Sequence, residues 1–421
     1  MTAKIVLATL GSHGDVHPFI SLGKALKQRG FSVLAASSGH YRPLFEAEGL
    51  AFAAIGPDED DALRVMGVSA GQFVRDLLTQ DMAVVKFAQD FLADCVRDLM
   101  PVVAGADLVV CHHIAYAAQL AAESLAIPHV HVLLSPTLLL SPDDPPVLGE
   151  APFARAPGRT GRIWNRALVA SLRLAFRLFI RRARRVRAEL GLPRTRDLPF
   201  LDPGGAHAVL GLFSPLLMLA PTAHLGLGAT FHDGGETAPL APEVSAFLDA
   251  GPPPVVLTLG SFAALGGAEV LRDGVAAVRA LGRRALVIAG RDEARDFGAP
   301  PGDDLLVWGY APHSAVFPRA AAVVHHGGAG TSAQALRAGK PQVIAPFFAD
   351  QPDNAARVAR LGVARVLPRQ KFSEAGAAEA LRALLDNPDC ARKAERVSAR
   401  IGAEDGAGAA ADIIARLVAE K

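Results

Sequence analysis

The densest chemistry in the sequence lies between Trp308 and Asn354. Tyr310-Ala311-Pro312 is followed by His325-His326-Gly327-Gly328-Ala329-Gly330-Thr331, then Gly339-Lys340-Pro341, then Asp350-Gln351. The apolar run ending at Val324 reads as a strand, and the glycine-rich turn behind it opens a helix near Thr331. Backbone N–H groups at a helix start, together with the positive end of its dipole, make an anion site. Glycines let a diphosphate approach the backbone, and a histidine in the turn adds a donor. Such a turn alone selects no single ligand. A second cluster stands near the N-terminus, Gly11-Ser12-His13-Gly14-Asp15-Val16-His17-Pro18. It places a carboxylate and two imidazoles, groups that move protons, behind a strand, at the edge where open α/β sheets bind ligands. Asp15 also fits a plainer role as the cap of the following helix. A third group, Cys111-His112-His113, follows the run 107–110. These histidines suit either the lining of a pocket or buried structural positions.

The elements that must hold these loops show in the hydrophobic pattern. Residues 5–10 are an apolar run that meets the Gly11 turn. Pro18 then opens a helical stretch with Phe19, Ile20, Leu22 and Leu26 on one face, Gly30 ends it, and 31–36 is the next strand. A β–α–β start implies a parallel sheet. The rhythm returns in the second half, with strands expected at 255–259, 285–289, 305–308, 322–324 and 342–345. Between the halves, glycines and prolines at 234–239 and 251–254 bracket a short helix and mark a linker. The expected domains are 1–235 and 255–421, joined by 236–254, with the last helix free to cross back to the first domain.

Composition bounds the partners. Of 421 residues 51% are hydrophobic and 20% charged, as in a globular chain, and the net charge of +1 gives no argument for nucleic acid. Cys95, Cys111 and Cys390 match no zinc or redox spacing, and their odd number argues against a disulfide framework; a reducing cytoplasm is the simplest home. The run 5–10 is too short for a signal peptide core. Residues 203–232 carry no charged side chain, but Pro215, Pro221, Gly226 and Gly228 interrupt them. Two short buried strands around a proline turn are expected there, not a membrane span. In 159–189 ten arginines precede the first acid, Glu189, interleaved with Trp164, Leu172, Leu174, Phe176 and Phe179. This pattern fits a helix lying on an anionic membrane, or a surface helix whose apolar stripe packs on the first domain under its arginine stems.

The motifs of the second half, in their mutual spacing, resemble the donor-binding signature of family 1 glycosyltransferases, which have the GT-B fold. The loop 11–18 resembles the start of the same family, and the likeness covers essentially the whole chain. Ser135-Pro136-Thr137 through Ser141 with Pro145-Pro146, and Gly211-Leu212-Phe213 with Ala220-Pro221, are similar to bacterial rhamnolipid-type rhamnosyltransferases. Pro346 through Gln351 is similar to sterol glucosyltransferases. The resemblance implies an α/β chain of two Rossmann-like domains whose parallel sheets face across a cleft, with acceptor in the first and nucleotide sugar in the second. It implies that His326 bonds the donor diphosphate, that Gly328, Gly330, Thr331 and Ser261 contact phosphate, and that Tyr310, beside Ala311, stacks on the base. Asp350 and Gln351 would hold sugar hydroxyls. Gln334 stands where plant relatives carry a glutamate on the ribose; its lack of charge weakens strict UDP use and keeps dTDP donors open.

Inverting sugar transfer needs one base for the acceptor hydroxyl and stabilisation of the departing diphosphate, which a helix N-terminus and a histidine can supply without metal. In the resemblance Asp15 aligns with the base position, and His13 is its rival. Cys111 occupies the place of the plant aspartate that orients a catalytic histidine, consistent with Asp15 serving alone. His113, Ser135, Thr137 and the region 66–77 would line the acceptor site. The expected reaction moves rhamnose or glucose from a dTDP- or UDP-sugar to a hydroxyl of a hydrophobic phenolic aglycone or lipid, with no cofactor beyond that co-substrate. Two alternatives belong to other classes. A dinucleotide oxidoreductase needs G-x-G-x-x-G, which Gly11-Ser12-His13-Gly14 does not provide. A non-catalytic nucleotide-sugar-binding partner of another transferase has no use for both Asp15 and Asp350-Gln351.

Overall fold

The computed structural model describes residues 2–58, 63–65, 67, 69, 89–147, 158–194, 206–233, 240–260, 267–290, 297–300 and 302–420. Contacts divide the chain into two compact units, Met1–His232 with Asp405–Lys421, and Asp233–Glu404.

The first unit is built on β1 (Lys4–Ala8), β2 (Ser32–Ser37), β3 (Ala51–Ala54), β4 (Leu108–His112), β5 (His129–Leu133) and β6 (Ala208–Gly211), all parallel in the order β3-β2-β1-β4-β5-β6. Its helices are α1 (His13–Gln28), α2 (Arg42–Ala47), α3 (Leu92–Val103), α4 (Tyr116–Ser124), α5 (Gly158–Phe179) and α6 (Arg181–Glu189). The strands are mostly apolar because helices cover both sheet faces, with His112 of β4 and His129 and His131 of β5 buried among them. Side chains alternate along each strand. Ile5 and Leu7 of β1, with Leu108 and Val110 of β4, join Phe19 and Ile20 of α1 in one core. Val6 and Ala8, with Val109 and Cys111, join Leu99 and Ala118 in the other. The C-terminal helix Gly406–Ala419 belongs to this unit: Ala410 and Ile414 enter the α1 core, and Arg29 pairs with Asp412 at 2.7 Å.

The second unit repeats the plan. Strands β7 (Val255–Thr258), β8 (Ala285–Ile288), β9 (Leu305–Trp308), β10 (Ala322–His325), β11 (Gln342–Ile344) and β12 (Ala364–Val366) are parallel in the order β12-β11-β10-β7-β8-β9. Counted from its own first strand, each sheet therefore runs 3-2-1-4-5-6, the Rossmann order. The helices include α7 (Pro242–Asp249), inside the stretch expected to be a linker, then α8 (Ala268–Ala280), α9 (His313–Val316), α10 (Ala329–Arg337) and α11 (Gln351–Arg360).

Two local expectations change. The first helix starts at His13, with Ser12 as N-cap, so Pro18 lies inside it. A proline there removes only one bond, from its missing N–H to the Gly14 carbonyl, and the Ser12–Asp15 pair described below holds the first turn. Among the described residues of 203–232, namely 206–232, only β6 is a strand; the second segment contributes a single bridge, Leu225 to Gly211, and Pro215–Leu217 forms a 3₁₀ turn. Proline and closely spaced glycines deny that segment a longer ladder.

Candidate active site

In a Rossmann sheet the strand order reverses beside the first strand, and ligands bind outside the carboxyl ends at that point. In the first unit that point lies between β1 and β4. Behind β1 come Gly11 to Asp15, and β4 ends in His112. Gly11 has φ +123, and a Cβ on it would stand 2.4 Å from the Asp15 carboxylate, so only glycine fits the turn. Ser12, the N-cap, donates to Asp15 Oδ2 from its N–H at 2.8 Å and from its hydroxyl at 3.0 Å. Thr9 donates to the Asp15 carbonyl at 2.9 Å. Asp15 is thus the third residue of the helix, not its cap, and its half-exposed carboxylate is gripped on one oxygen.

His112 Nε2 lies 3.6 Å from the other oxygen, Oδ1. Strand alternation explains why. The same period that turns Leu108 and Val110 toward α1 turns His112 toward it, where its ring meets Phe19 at 5.5 Å between centroids. Cys111 faces the opposite core. Burial, with the neighbouring His113 ring, holds His112 well below the ordinary histidine pKa, the Leu10 backbone opposing this only in part. The ring is therefore neutral, and it meets the carboxylate as a dipole, not as an ion. Sequence reasoning left His112 as a pocket or structural residue and Asp15 on its own; the alternation of β4 was the signal that links them.

The other imidazoles separate by environment. His13 is exposed, its ring 5.4 Å from those of Tyr41 and His17. Burial pushes His113 down to about 3, and its ring meets that of His112 edge-on, 4.0 Å between centroids. Ser135 and Thr137 are buried, and their hydroxyls bond each other at 2.9 Å at the start of the 3₁₀ turn Pro136–Leu139.

In the second unit the reversal lies between β7 and β10. The β10 turn is built around two histidines with different tasks. His325 is fully buried; its Nε2 bonds Gln342 Oε1 on β11 at 2.8 Å, and its Nδ1 accepts from the Gly327 N–H at 3.1 Å. That fixes the turn and leaves His325 no donor for a ligand. His326 sits between two glycines. A Cβ on Gly260, behind β7, would stand 2.9 Å from its ring, and a Cβ on Gly328 would stand 2.4 Å from its Nε2. Its surroundings push its pKa down to about 3, burial first and then His325 and His313, so it is neutral. Gly328 is the N-cap of α10, which puts Gly330 and Thr331 in the first turn. Ser261 lies outside the described residues.

The loop after β11 is tied to this turn. Asn354 donates to the Gly327 carbonyl at 3.1 Å and to Asp350 Oδ2 at 2.8 Å. Gln351 Oε1 accepts from the N–H groups of Phe347 and Phe348 at 2.9 and 3.3 Å. Ala349 between them has φ +56, a left-handed conformation costing about 1 kcal/mol, held in place by these bonds. Asp350 is the N-cap residue of α11 and remains half-exposed. Tyr310 is 64% exposed and follows β9, with Ala311 buried behind it. Gln334 donates to Asp233 Oδ1 at 3.0 Å, and Arg337 meets Asp233 Oδ2 at 2.8 Å. Burial raises the Asp233 pKa, but the bonds from Arg337 and Gln334 outweigh it and hold the carboxyl below its ordinary value. Asp233 was not visible as a site residue in the sequence. Among the described residues no three His, Cys, Asp or Glu side chains group as metal ligands.

Comparison with known proteins agrees with this architecture. Residues 5–138 match the glycosyltransferase family 28 N-terminal domain, and residues 280–419 match the erythromycin biosynthesis protein CIII-like C-terminal domain. Glycosyltransferase GtfE of Amycolatopsis orientalis is 34% identical, over 99% of this chain and 98% of its own. The vancomycin aglycone glucosyltransferase of the same organism is 32% identical, over 86% and 84%. The crystal structure of glycosyltransferase VinC in complex with dTDP superposes with a TM-score of 0.68 at 20% identity, covering 99% of this chain and 100% of VinC, and establishes a shared fold. With two domain families matched in order, and relatives of this identity along nearly its whole length, the chain belongs to the bacterial family 1 glycosyltransferases of GT-B fold.

Proposed function

We propose that this glycosyltransferase moves a hexose, with inversion and without metal, from a dTDP- or UDP-sugar to a hydroxyl of a hydrophobic natural-product aglycone. The observation that carries the reading is the Asp15 carboxylate at the reversal point of the first sheet, held on Oδ2 by Ser12 with His112 at 3.6 Å from Oδ1. The acceptor oxygen attacks the anomeric carbon and gives its proton to Asp15. The bond from that carbon to the diphosphate breaks, and the diphosphate leaves with the electron pair. His112, neutral and 3.6 Å from Oδ1, sets the carboxylate rotamer together with Ser12 on Oδ2, and Oδ1 is the oxygen that receives the acceptor proton.

In the second unit the first-turn N–H groups of α10 and the neutral His326 ring receive the diphosphate charge. Gly260 and Gly328 leave room for that ring, and Gly330 in the first turn of α10 has nothing within 4 Å of where a Cβ would stand, which keeps the turn open to a phosphate. Asp350 and the amide nitrogen of Gln351 take the sugar hydroxyls, and the exposed Tyr310 ring stacks on the base. Gln334, engaged by Asp233, offers no carboxylate to a ribose diol, which fits a deoxyribose donor. The dTDP complex of VinC and the glucose and aglycone in the name of the vancomycin relative support these substrate classes.

Melting with UDP, dTDP and NAD in equal excess, without divalent metal, tests the donor site. A nucleotide at about 100 times its Kd adds about 2.7 kcal/mol. Stabilisation by dTDP or UDP and none by NAD is expected; no response to either diphosphate would remove His326 to Gln351 as a donor site. Bound nucleotide without turnover on phenolic and lipid acceptors would instead mark a non-catalytic partner.

A further inference from the structure

The arginine-rich helices α5 and α6 take no part in this chemistry. They carry ten arginines between Arg159 and Arg187 with no acid before Glu189. One face of α5 packs on its unit: Gly161, Asn165 and Val169 are buried, and Phe176 joins the core of Val109 and Cys111. A surface helix requires no more apolar surface than that.

The helix nevertheless exposes a second apolar stripe. Ile163, Ala167, Ala170 and Leu174 recur at steps of four, three and four, which is one helical face. Ile163 is 68% and Leu174 61% exposed, with Trp164 at their border 53% exposed. Eight large apolar side chains stand strongly exposed among the described residues, and three are on this one helix, so the surface is concentrated here. Arg162, Arg166, Arg173 and Arg177 recur at steps of four, seven and four along the adjacent stripe, Arg162 and Arg166 exposed and Arg173 and Arg177 partly buried. Of the arginines in α6, Arg182 and Arg187 turn to Asp90 and Glu123, while Arg181, Arg184 and Arg185 are exposed.

We propose that α5 docks the protein on the surface of an anionic lipid bilayer. The edge of Ile163, Trp164 and Leu174 enters the boundary between headgroups and acyl chains, and the arginines meet the anionic headgroups. A nucleic acid would satisfy the arginines but leave the apolar edge in water. No described helix is long and apolar enough to cross a membrane, so α5 lies in the interface plane.

The full chain is sedimented with vesicles of phosphatidylglycerol and phosphatidylcholine, and with phosphatidylcholine alone. Binding to the first only, released by high salt, is expected. R162E/R166E lowers the partition coefficient about thirtyfold. I163S/L174S, which touches exposed side chains only, also weakens it, and neither pair changes turnover of soluble substrates. The chain has two tryptophans, Trp164 and Trp308. In a W308F background Trp164 emission shifts to the blue on anionic vesicles; should W308F fold poorly, quenching by brominated lipid in the parent but not in W164F gives the same readout. Absence of binding to anionic vesicles, binding undiminished by R162E/R166E, or binding without a Trp164 response overturns the proposal. Retention by heparin equal to that by vesicles, with no Trp164 response, assigns the patch to a soluble polyanion.

Discussion

His112 Nε2 stands 3.6 Å from Oδ1 of Asp15, while Ser12 holds Oδ2 of the same carboxylate through two hydrogen bonds. A carboxylate gripped on one oxygen and faced by a neutral imidazole on the other has its rotamer set from both sides. A buried ring kept neutral by its surroundings can donate without competing for the proton that the proposed mechanism gives to Asp15.

His112→Phe keeps the ring volume beside Phe19 and removes the donor. The expected result is a fall in kcat of about tenfold with the donor KM unchanged. The acid limb of kcat against pH moves to higher pH, because the ionised carboxylate loses a favourable contact. Equal losses of kcat and melting temperature, with an unmoved pH profile, would mean that His112 only fills the core.

Gln334 and Asp233 form a second pair to separate. Gln334→Glu puts a carboxylate about 3 Å from Asp233, and the repulsion is expected to lower stability by about 1 kcal/mol, Arg337 absorbing part of it. Adding Asp233→Asn relieves it, and the UDP-to-dTDP affinity ratio of the double variant rises about tenfold as a free carboxylate reaches the ribose diol. A melting cycle and nucleotide titrations of the four proteins measure both effects. Additive melting shifts would contradict the pairing.

How far the sequence carried this picture depends on where the information was local. The glycine turns at Gly11 and Gly327, the neighbouring strands and the Asp350-Gln351 loop were legible because each rests on neighbours in the chain. The start of α1 was misplaced by five residues because Pro18 suggested a first turn, although Ser12-x-x-Asp15 is itself a helix-start pattern. The tie between Asp15 and His112 needs the β1–β4 pairing, which brings residues about a hundred positions apart to one edge; only the alternation Leu108, Val110, His112 hinted at it. Asp233 was hidden for a related reason, since it precedes the glycine-rich stretch and meets α10 only through the tertiary fold. Ser261 and nearly all of 66–77 lie outside the described residues.

The buried histidines also set a pH dependence of stability. His131 is 1% exposed with no partner for either ring nitrogen, and burial pushes it down to about 3; His325 is pushed down to about 4. In the unfolded chain both titrate near 6.5. Between those values the unfolded chain binds more protons, so stability is complete above about pH 6.5 and is lost as pH falls. Each such ring costs about 1.4 kcal/mol per pH unit within its window. Urea midpoints at about pH 7.5, 6.5 and 5.5 should fall on the acid side only, and His131→Phe should flatten that slope. A midpoint independent of pH would contradict the neutral burial of these rings.

The most direct test of the mechanism is Asp15→Asn, measured for turnover and for dTDP stabilisation on the same preparation. The substitution keeps the shape and one oxygen for Ser12 while removing the proposed base. Turnover should fall by about a hundredfold to ten-thousandfold, and the melting shift with dTDP should stay as in the parent, because the proposed nucleotide contacts lie in the other unit. Turnover within about twofold of the parent would contradict Asp15 as the base and pass that role to His13.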